Sequence, residues 1–371
     1  MKRLVLVGGG HAHVEVLRRF ARSPLPGVEV TLINASRHTV YSGMLPGLVA
    51  GHYGWRACHM DLAVLSRLSR APLLRDIAIG LDLERKSVRC ADAVEVPYDI
   101  VSIDVGSVPN TYAIQQSTQH GLPVRPVERF LTAWGGLVYE AGERALSIAI
   151  VGAGVGGVEL CLAMQHRLLQ RAPQHPARFT VVSATTEILP DQAGRVRRRF
   201  ERVLRARGVA VKTGSRVVGA DDSCLLLEGG DQVRADRIIW VTGPAAPRWL
   251  GESGLRTDAA GFVLTDDCLR SLSHPEVFAV GDLATTVNRT RPKSGVYAAR
   301  QGPPLAENLR LVLRGHPPRT FEPHPIALQL ISTGDRYAIA SWSALSVEGA
   351  WVWRWKDWID RRFMARYGPA G

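Results

Sequence analysis

Cysteine is scarce in this 371-residue chain: there are five, Cys58, Cys90, Cys161, Cys224 and Cys268, and no two form a C-x-x-C pair. That spacing excludes a disulfide framework and a local dithiol redox pair, and it points to a reducing, cytoplasmic compartment. Long apolar runs are also missing, and no stretch approaches the ~18 residues that a membrane span requires. The opening "MKRLVLVGGG" has a basic start and an apolar run, but the run is short and ends in glycines with no small-residue cleavage pattern, so it does not read as a leader. Neither zinc-finger spacing nor an RNP-like run occurs, and nucleic acid is not an expected partner. Acidic residues are in deficit, 34 against 46 Lys and Arg, for a net charge of +12. Such an excess favours anionic partners, whether phosphate-bearing cofactors or an anionic membrane surface. The densest basic run, "GRVRRRFERVLRARG" (194–208), has helical spacing and reads as a solvated helix face.

What is present is a β-α-β pattern that occurs twice. "LVLVGGGHAHVEVL" (4–17) predicts a strand over 3–7, a glycine turn and a helix over 11–22, and "VEVTLIN" (28–34) supplies the second strand. The turn keeps Gly8 and Gly10 of the fingerprint G-x-G-x-x-G but has His13 at the third glycine. "LSIAIVGAGVGGVELCLAMQHRLL" (146–169) repeats the unit with all three glycines, Gly152, Gly154 and Gly157, and "RFTVVSA" (178–184) follows as its second strand. The first glycine makes the turn, the second admits a pyrophosphate to the backbone, and the third lets helix and strand pack closely. The helix N-terminus then faces the phosphates with free N–H groups. The acid that would hold a ribose at the end of the second strand is replaced by Asn34 in the first unit and is missing from "SATTE" (183–187) in the second. That second loop also has no arginine for a 2′-phosphate, so it leaves NADH versus NADPH open.

Residues 76–105 alternate in short runs and predict a small antiparallel excursion; 110–126 is polar, carries Pro and Gly, and reads as a linker. "VTGPAAP" (241–247), "VFAVGDLA" (277–284) and a helix over about 295–313 follow, and the last fifty or so residues contain strands and a Trp-rich amphipathic end.

The two glycine turns with "VTGPAAP" and "VFAVGDLA" in this order resemble the two-dinucleotide-fold flavoproteins, the pyridine nucleotide-disulfide oxidoreductases, over residues 1 to about 312. "HTVYSGMLPGLVAGHY" (38–53), "RPKSGVYAARQGPPLAENL" (291–309) and "WVWRWKDWIDRRFMARYG" resemble the type II NADH dehydrogenase-like branch, including the flavoprotein module fused to selenophosphate synthetase in some proteins. The resemblance implies an α/β fold with two Rossmann-type domains: an FAD domain (1–112 and 256–314) split around an NAD(P)H domain (113–255), with an extension over 315–371. It implies FAD beside Gly8, Gly10, His11, Asn34, Pro46, Gly106, Asp282, Gly295 and Val296, with Asp282 on the ribityl chain, and NAD(P)H beside Gly152, Gly154, Gly157 and Gly243. The helix from Gly295 would aim its positive end at the flavin pyrimidine. Lys293 either adds to that charge or is a solvated lysine. Glu159 matches a glutamate near nicotinamide and flavin, its alternative being a helix-start acid favoured by the dipole.

Departures accompany these matches. Val296 and Arg300 stand where the branch carries two glutamines at its quinone site, which leaves the acceptor open, and Cys161 reads as buried structure rather than a redox group. His11 and His13, at i and i+2, lie on different faces of a helix with no acidic or cysteine partner nearby, so no metal site is expected. His13 implies either a locally shifted helix or a side chain turned away from the strand, and His11 is the better candidate to approach the FAD. In the tail, Val352, Trp355, Ile359 and Phe363 share one helical face with Arg354, Lys356, Arg361, Arg362 and Arg366 largely elsewhere. That pattern suits an interfacial helix on the cytoplasmic face of an anionic bilayer, with Trp351, Trp353 and Trp358 at headgroup level. The alternative is a helix docked on its own domain or on a second subunit.

The expected function is an FAD-dependent NAD(P)H oxidoreductase, with a quinone as first-choice acceptor. The alternatives are a soluble reductase of a protein or small molecule, or a flavin-bound redox sensor.

Overall fold

The computed structural model describes residues 1–117, 119–322, 328–343 and 345–368. Two five-stranded sheets carry the fold. The first runs, in order, Val277–Ala279, Ile100–Ile103, Lys2–Val7, Val28–Ile33 and Leu73–Leu74, every neighbour parallel. The second runs Leu122–Pro123, Arg237–Trp240, Ser147–Val151, Arg178–Val182 and Ala210–Lys212, again all parallel. Parallel strands covered by helices bury both faces, which is why "LVLV" and "IAIV" are uninterrupted apolar runs. In each sheet the strand before the glycine turn is central, and chain order reverses across it. That reversal opens a crevice at the carboxyl end of the strands, where dinucleotides bind in such sheets.

The helix His11–Arg22 buries Ala12, Val14, Leu17 and Phe20 and turns Arg19 and Arg22 outward. The long helix Gly295–Leu313 packs on it at Gly302, whose Cβ would lie 2.7 Å from that of Glu15. The excursion expected over 76–105 is a three-stranded antiparallel sheet, Ala78–Asp82, Ser87–Cys90 and Glu95–Pro97, and the remainder joins the first sheet as Ile100–Ile103. The second unit has its own antiparallel excursion over 217–234, which alternation too short to read had hidden. Pro244–Ala245 pairs with Val108–Pro109, and Ala246, Leu250 and Leu255 enter the core of the first sheet. The chain thus returns to the first sheet ahead of the boundary at 255.

Three antiparallel strands, Gln329–Ser332, Ala338–Trp342 and Leu345–Gly349, precede the last helix, Ala350–Met364. Residues 323–327 and 369–371, which fall in stretches read above as strand-rich and amphipathic, lie outside the described residues. The turn between the first two strands places Gly334 (φ +88°) where a Cβ would sit 2.2 Å from the carbonyl oxygen of Leu162, on the helix Val155–Arg171 of the second unit.

The last helix is rotated from the expected facing. Val352 and Trp353 are buried with Met44, Tyr53 and Cys58, Asp360 is buried too, and Phe363 stacks on Tyr41. Trp353, placed at headgroup level in the sequence reading, is therefore a core residue, and Trp355, assigned to the apolar face, is exposed. The solvent face carries Trp351, Trp355 and Trp358 with Arg354, Arg361 and Arg362. The difference arises because the helix packs against the 41–58 segment, which selects the side bearing Lys356 and Asp360. No helix among the described residues is long and apolar enough to cross a membrane.

Candidate functional site

The first turn is built around Gly8 (φ +92°), where a Cβ would lie 2.5 Å from the carbonyl oxygen of Asp104. A Cβ at Gly10 would meet the Asp104 carboxylate at 2.3 Å. Asp104, which the sequence reading passed over, is buried and accepts hydrogen bonds from the amides of Ala12 (2.9 Å) and His13 (3.1 Å). It caps the first turn of the helix from the neighbouring strand end. Burial pushes its carboxyl up to about 7; the two amide bonds oppose that, and Asp282 adds to it. An acid amid "VSIDVGS" was the available signal, since a buried strand end does not hold a carboxylate without a partner.

His13 faces the strands. Its Nδ1 lies 2.6 Å from the carbonyl of Gly8 and its Nε2 2.8 Å from Ser102 Oγ. Burial lowers its pKa to about 4, so the ring is neutral at pH 7. A carbonyl only accepts, so Nδ1–H donates to Gly8 and Nε2 accepts from the Ser102 hydroxyl. In the second unit a Cβ at Gly157 would stand 1.9 Å from the carbonyl of Gly152. The first helix therefore stands off at this point to admit the imidazole. The alternative, a side chain turned away from the strand, is not what occurs. Asn34 accepts from the Gly9 amide (2.8 Å) and donates to Ser36 O (2.7 Å), so both ends of its amide brace the turn.

His11 lies edge-on to Tyr41 (5.5 Å between ring centroids) and near Phe363 (6.3 Å). Burial holds its pKa down to about 4, Asp282 opposing and Arg125 reinforcing. Asp282 is buried and paired with Arg125 Nη2 at 3.1 Å, while Arg125 Nη1 donates to Ser107 Oγ at 2.7 Å. Arg125 comes from the expected linker, beside Gly106 (φ +72°), and only the folded chain brings it to the G-D motif. Gly281 N donates to Gln301 Oε1 (2.6 Å), fixing that motif to the long helix.

Gly295 opens the long helix where a Cβ would lie 2.6 Å from Ser42 Oγ, so the 41–44 segment abuts the helix start. Pro46 occupies the first turn of the short helix Leu45–Val49, and Val296 is exposed. Lys293 is half-buried: its ammonium donates to Ala284 O and Thr285 Oγ1 and sits 4.2 Å over the Phe262 ring. Burial lowers its pKa to about 8. It lines a cavity of about 260 Å³ with Asp282, Tyr297 and Gln301, so it is not a freely solvated lysine.

In the second turn a Cβ at Gly152 (φ +122°) would meet the carbonyl of Val241 at 2.2 Å. Gly154 and Gly243 have open space where a Cβ would stand, a cradle suited to a pyrophosphate. His11 Nε2, Thr242 Oγ1 and Arg300 Nη1 are buried with no protein partner among the described residues. Open glycines and unsatisfied polar atoms fit two bound dinucleotides.

Glu159 Oε1 accepts from the amide of Ser332 (2.6 Å), and burial pushes its carboxyl up to about 7 against the charge of Lys356. Lys356 was read as a rim cation. It is interior, with Nζ 2.6 Å from both Asp360 Oδ2 and Gly43 O. Asp360 hydrogen-bonds the Tyr41 hydroxyl. The structure thus joins Glu159, Lys356, Asp360, Tyr41 and His11, residues from four separate segments, beside the first turn. Cys161 is buried in the core of the second unit, and the five cysteines are free.

Comparison with known proteins agrees with this architecture. The family model described as pyridine nucleotide-disulphide oxidoreductase matches residues 2–302. A type II NADH:quinone oxidoreductase of Staphylococcus saprophyticus is 22% identical over 345 residues, covering 86% of this chain and 85% of that protein. A probable NADH dehydrogenase of Dictyostelium discoideum is 22% identical over 347 residues, covering 86% and 76%. Among solved structures, the sulfide:quinone oxidoreductase of Aquifex aeolicus superposes with TM-score 0.81 at 17% identity, covering 99% of this chain and 91% of that one. NDH2 of Plasmodium falciparum in complex with NADH superposes with TM-score 0.80 at 14% identity, covering 99% of each chain. The chain belongs to the pyridine nucleotide-disulphide oxidoreductase family and is a flavoprotein oxidoreductase that works with FAD and NAD(P)H.

Proposed function

We propose that the chain carries reducing equivalents from NAD(P)H through FAD to a quinone, as the type II NADH dehydrogenases it resembles do. The observation that carries this reading is the meeting of Glu159 with Ser332 and Lys356 beside Gly43, which ties the nucleotide helix, the 41–44 segment and the last helix together at one junction. When bound, the flavin accepts hydride and releases electrons singly or in pairs. The protein's part is to hold and orient: the first turn, Asp282 and Gly295 at the FAD, and Gly152, Gly154, Gly157 and Gly243 at the nucleotide. Glu159 stands at the junction with its carboxyl raised to about 7 by burial, so it can hold or release a proton near neutral pH. Residues 1–112 and 244–314 serve the FAD, 113–243 the nucleotide, and 315–371 the junction with a surface.

That surface is the cytoplasmic leaflet of an anionic membrane. The reading is supported by exposed Trp351, Trp355 and Trp358 beside exposed arginines, and by Trp342 and Leu345 on the adjoining strands. The basic helix Gly194–Ala206 adjoins them through Arg199 and Arg202, both paired with Glu348.

Purified protein is expected to be yellow, and anaerobic NADH or NADPH should bleach it within a turnover. A short-chain quinone should restore the colour. A protein that stays yellow with both nucleotides overturns the electron route. Bleaching that quinone does not reverse, but another acceptor does, favours a soluble reductase. Val296 and Arg300, where the resemblance calls for glutamines, support that second reading.

A further inference from the structure

We propose that the second unit takes NADPH in preference to NADH, with Lys212 and the Thr185–Thr186 edge receiving the adenosine 2′-phosphate. The inference rests on the reading of that unit as the nucleotide site and names which nucleotide it is built for.

The strand Arg178–Val182 ends at Ser183, where a site for NADH places a carboxylate on the ribose hydroxyls. Ser183 Oγ is 2.8 Å from Thr185 Oγ1, and Thr185 Oγ1 donates to Glu187 O (2.8 Å). The first acid along this loop is Glu187. Its carboxylate is 2.5 Å from Arg197 Nη1, and Arg197 is largely buried and also donates to Ile188 O (3.1 Å). The one negative charge of residues 183–187 is thereby paired with a cation of the helix Gly194–Ala206.

The neighbouring strand brings a cation in its place. Lys212 pairs with Val182 in the parallel register, so it stands at the same end of the sheet. The two strand ends are stitched together. Ser183 N donates to Lys212 O (2.9 Å), Ser215 N to Ser183 O (2.8 Å) and Gly214 N to Thr185 O (2.7 Å). The Lys212 side chain is exposed and has no ion-pair partner among the described residues, whereas Arg216 beyond it faces Glu228. Thr185 and Thr186 are exposed beside it.

Charge decides between the two nucleotides. A carboxylate at the strand end accepts strong bonds from a free 2′-hydroxyl and repels a 2′-phosphate. Here NADH forfeits that bond, and NADPH meets an uncommitted ammonium and hydroxyl groups instead of a negative charge.

The test compares anaerobic flavin reduction by NADPH and NADH in the wild type, Lys212→Ala and Ser183→Glu, together with calorimetric binding of 2′,5′-ADP and 5′-AMP. The expected wild-type preference for NADPH is about tenfold or more in second-order rate constant, roughly 1.4 kcal/mol. 2′,5′-ADP should bind more tightly than 5′-AMP. Lys212→Ala should lower the NADPH value and 2′,5′-ADP affinity about tenfold and leave NADH unchanged, and Ser183→Glu should move the preference toward NADH. A wild type that prefers NADH, or a Lys212→Ala loss equal for both nucleotides, overturns the inference and leaves the oxidoreductase reading standing. Reduction by neither nucleotide overturns both.

Discussion

The ammonium of Lys356 and the carboxylate of Asp360 form a buried ion pair, 2.6 Å apart on successive turns of the last helix. The pair faces inward, with Gly43 O on the ammonium and the Tyr41 hydroxyl on the carboxylate. It anchors a helix whose composition suggests a surface role to the segment that abuts the flavin-side helix.

Removing one member leaves the other charge without compensation. Lys356→Met should destabilise the flavin-loaded protein by about 3 kcal/mol in chemical denaturation. Lys356→Met with Asp360→Leu should recover much of that loss, because the desolvation of both charges disappears together. Equal losses in the single and double variants would contradict the pairing.

Asp104 gives stability a slope with pH. Its native pKa, about 7, stands above the ordinary 3.8, so between those values the folded protein keeps a proton that the unfolded chain has released. Its contribution is full below about pH 4 and is lost as pH rises through 7. Asp104→Asn should therefore gain on the wild type between pH 5 and pH 8, on the order of 2 kcal/mol, measured by denaturation across that range. A constant difference between the two proteins would show that the carboxyl does not titrate there.

Gly152 separates the two cofactor sites experimentally. Its φ of +122° and the Val241 carbonyl 2.2 Å from its Cβ position leave no room for a methyl group. Gly152→Ala should keep the flavin absorbance and lose bleaching by either nucleotide at least about tenfold. Normal bleaching would place the nucleotide elsewhere.

The exposed tryptophans test the membrane reading. Trp351 and Trp355 stack (6.5 Å between centroids), and Arg362 lies 5.2 Å over Trp358. Replacing the three by serine should leave the melting temperature nearly unchanged and abolish flotation with vesicles containing anionic phospholipid. Undiminished flotation would exclude this face as the contact.

Legibility from sequence followed the range of the interactions. Glycine-turn chemistry is local, so both β-α-β units are readable from sequence, the first helix to both its ends, His11–Arg22. The same locality exposed the missing acid at Ser183. Arg125 on Asp282 and Lys356 on Gly43 are meetings across 157 and 313 residues, which no periodicity encodes. The last helix was misread in facing because it has two apolar sides. Trp353 and Trp355 are equal on any hydropathy scale, and only the surface offered by Met44, Tyr53 and Cys58 decides between them. His13 was an anomaly in the fingerprint, and its explanation, Ser102, lies on a strand 89 residues away.

The seat of Gly334 against Leu162 carries a mechanical corollary. The turn bearing Gly334 grows from the same strand pair whose Ser332 amide holds Glu159, and the helix beyond it is keyed to the first unit through Lys356 and through Tyr367 on Glu15. Swinging the nucleotide unit outward would have to strip that glycine from its carbonyl and break both keys at once. The two units are clasped along this side by contacts at Gly334, Ser332, Lys356 and Tyr367, so parting them here costs all four together.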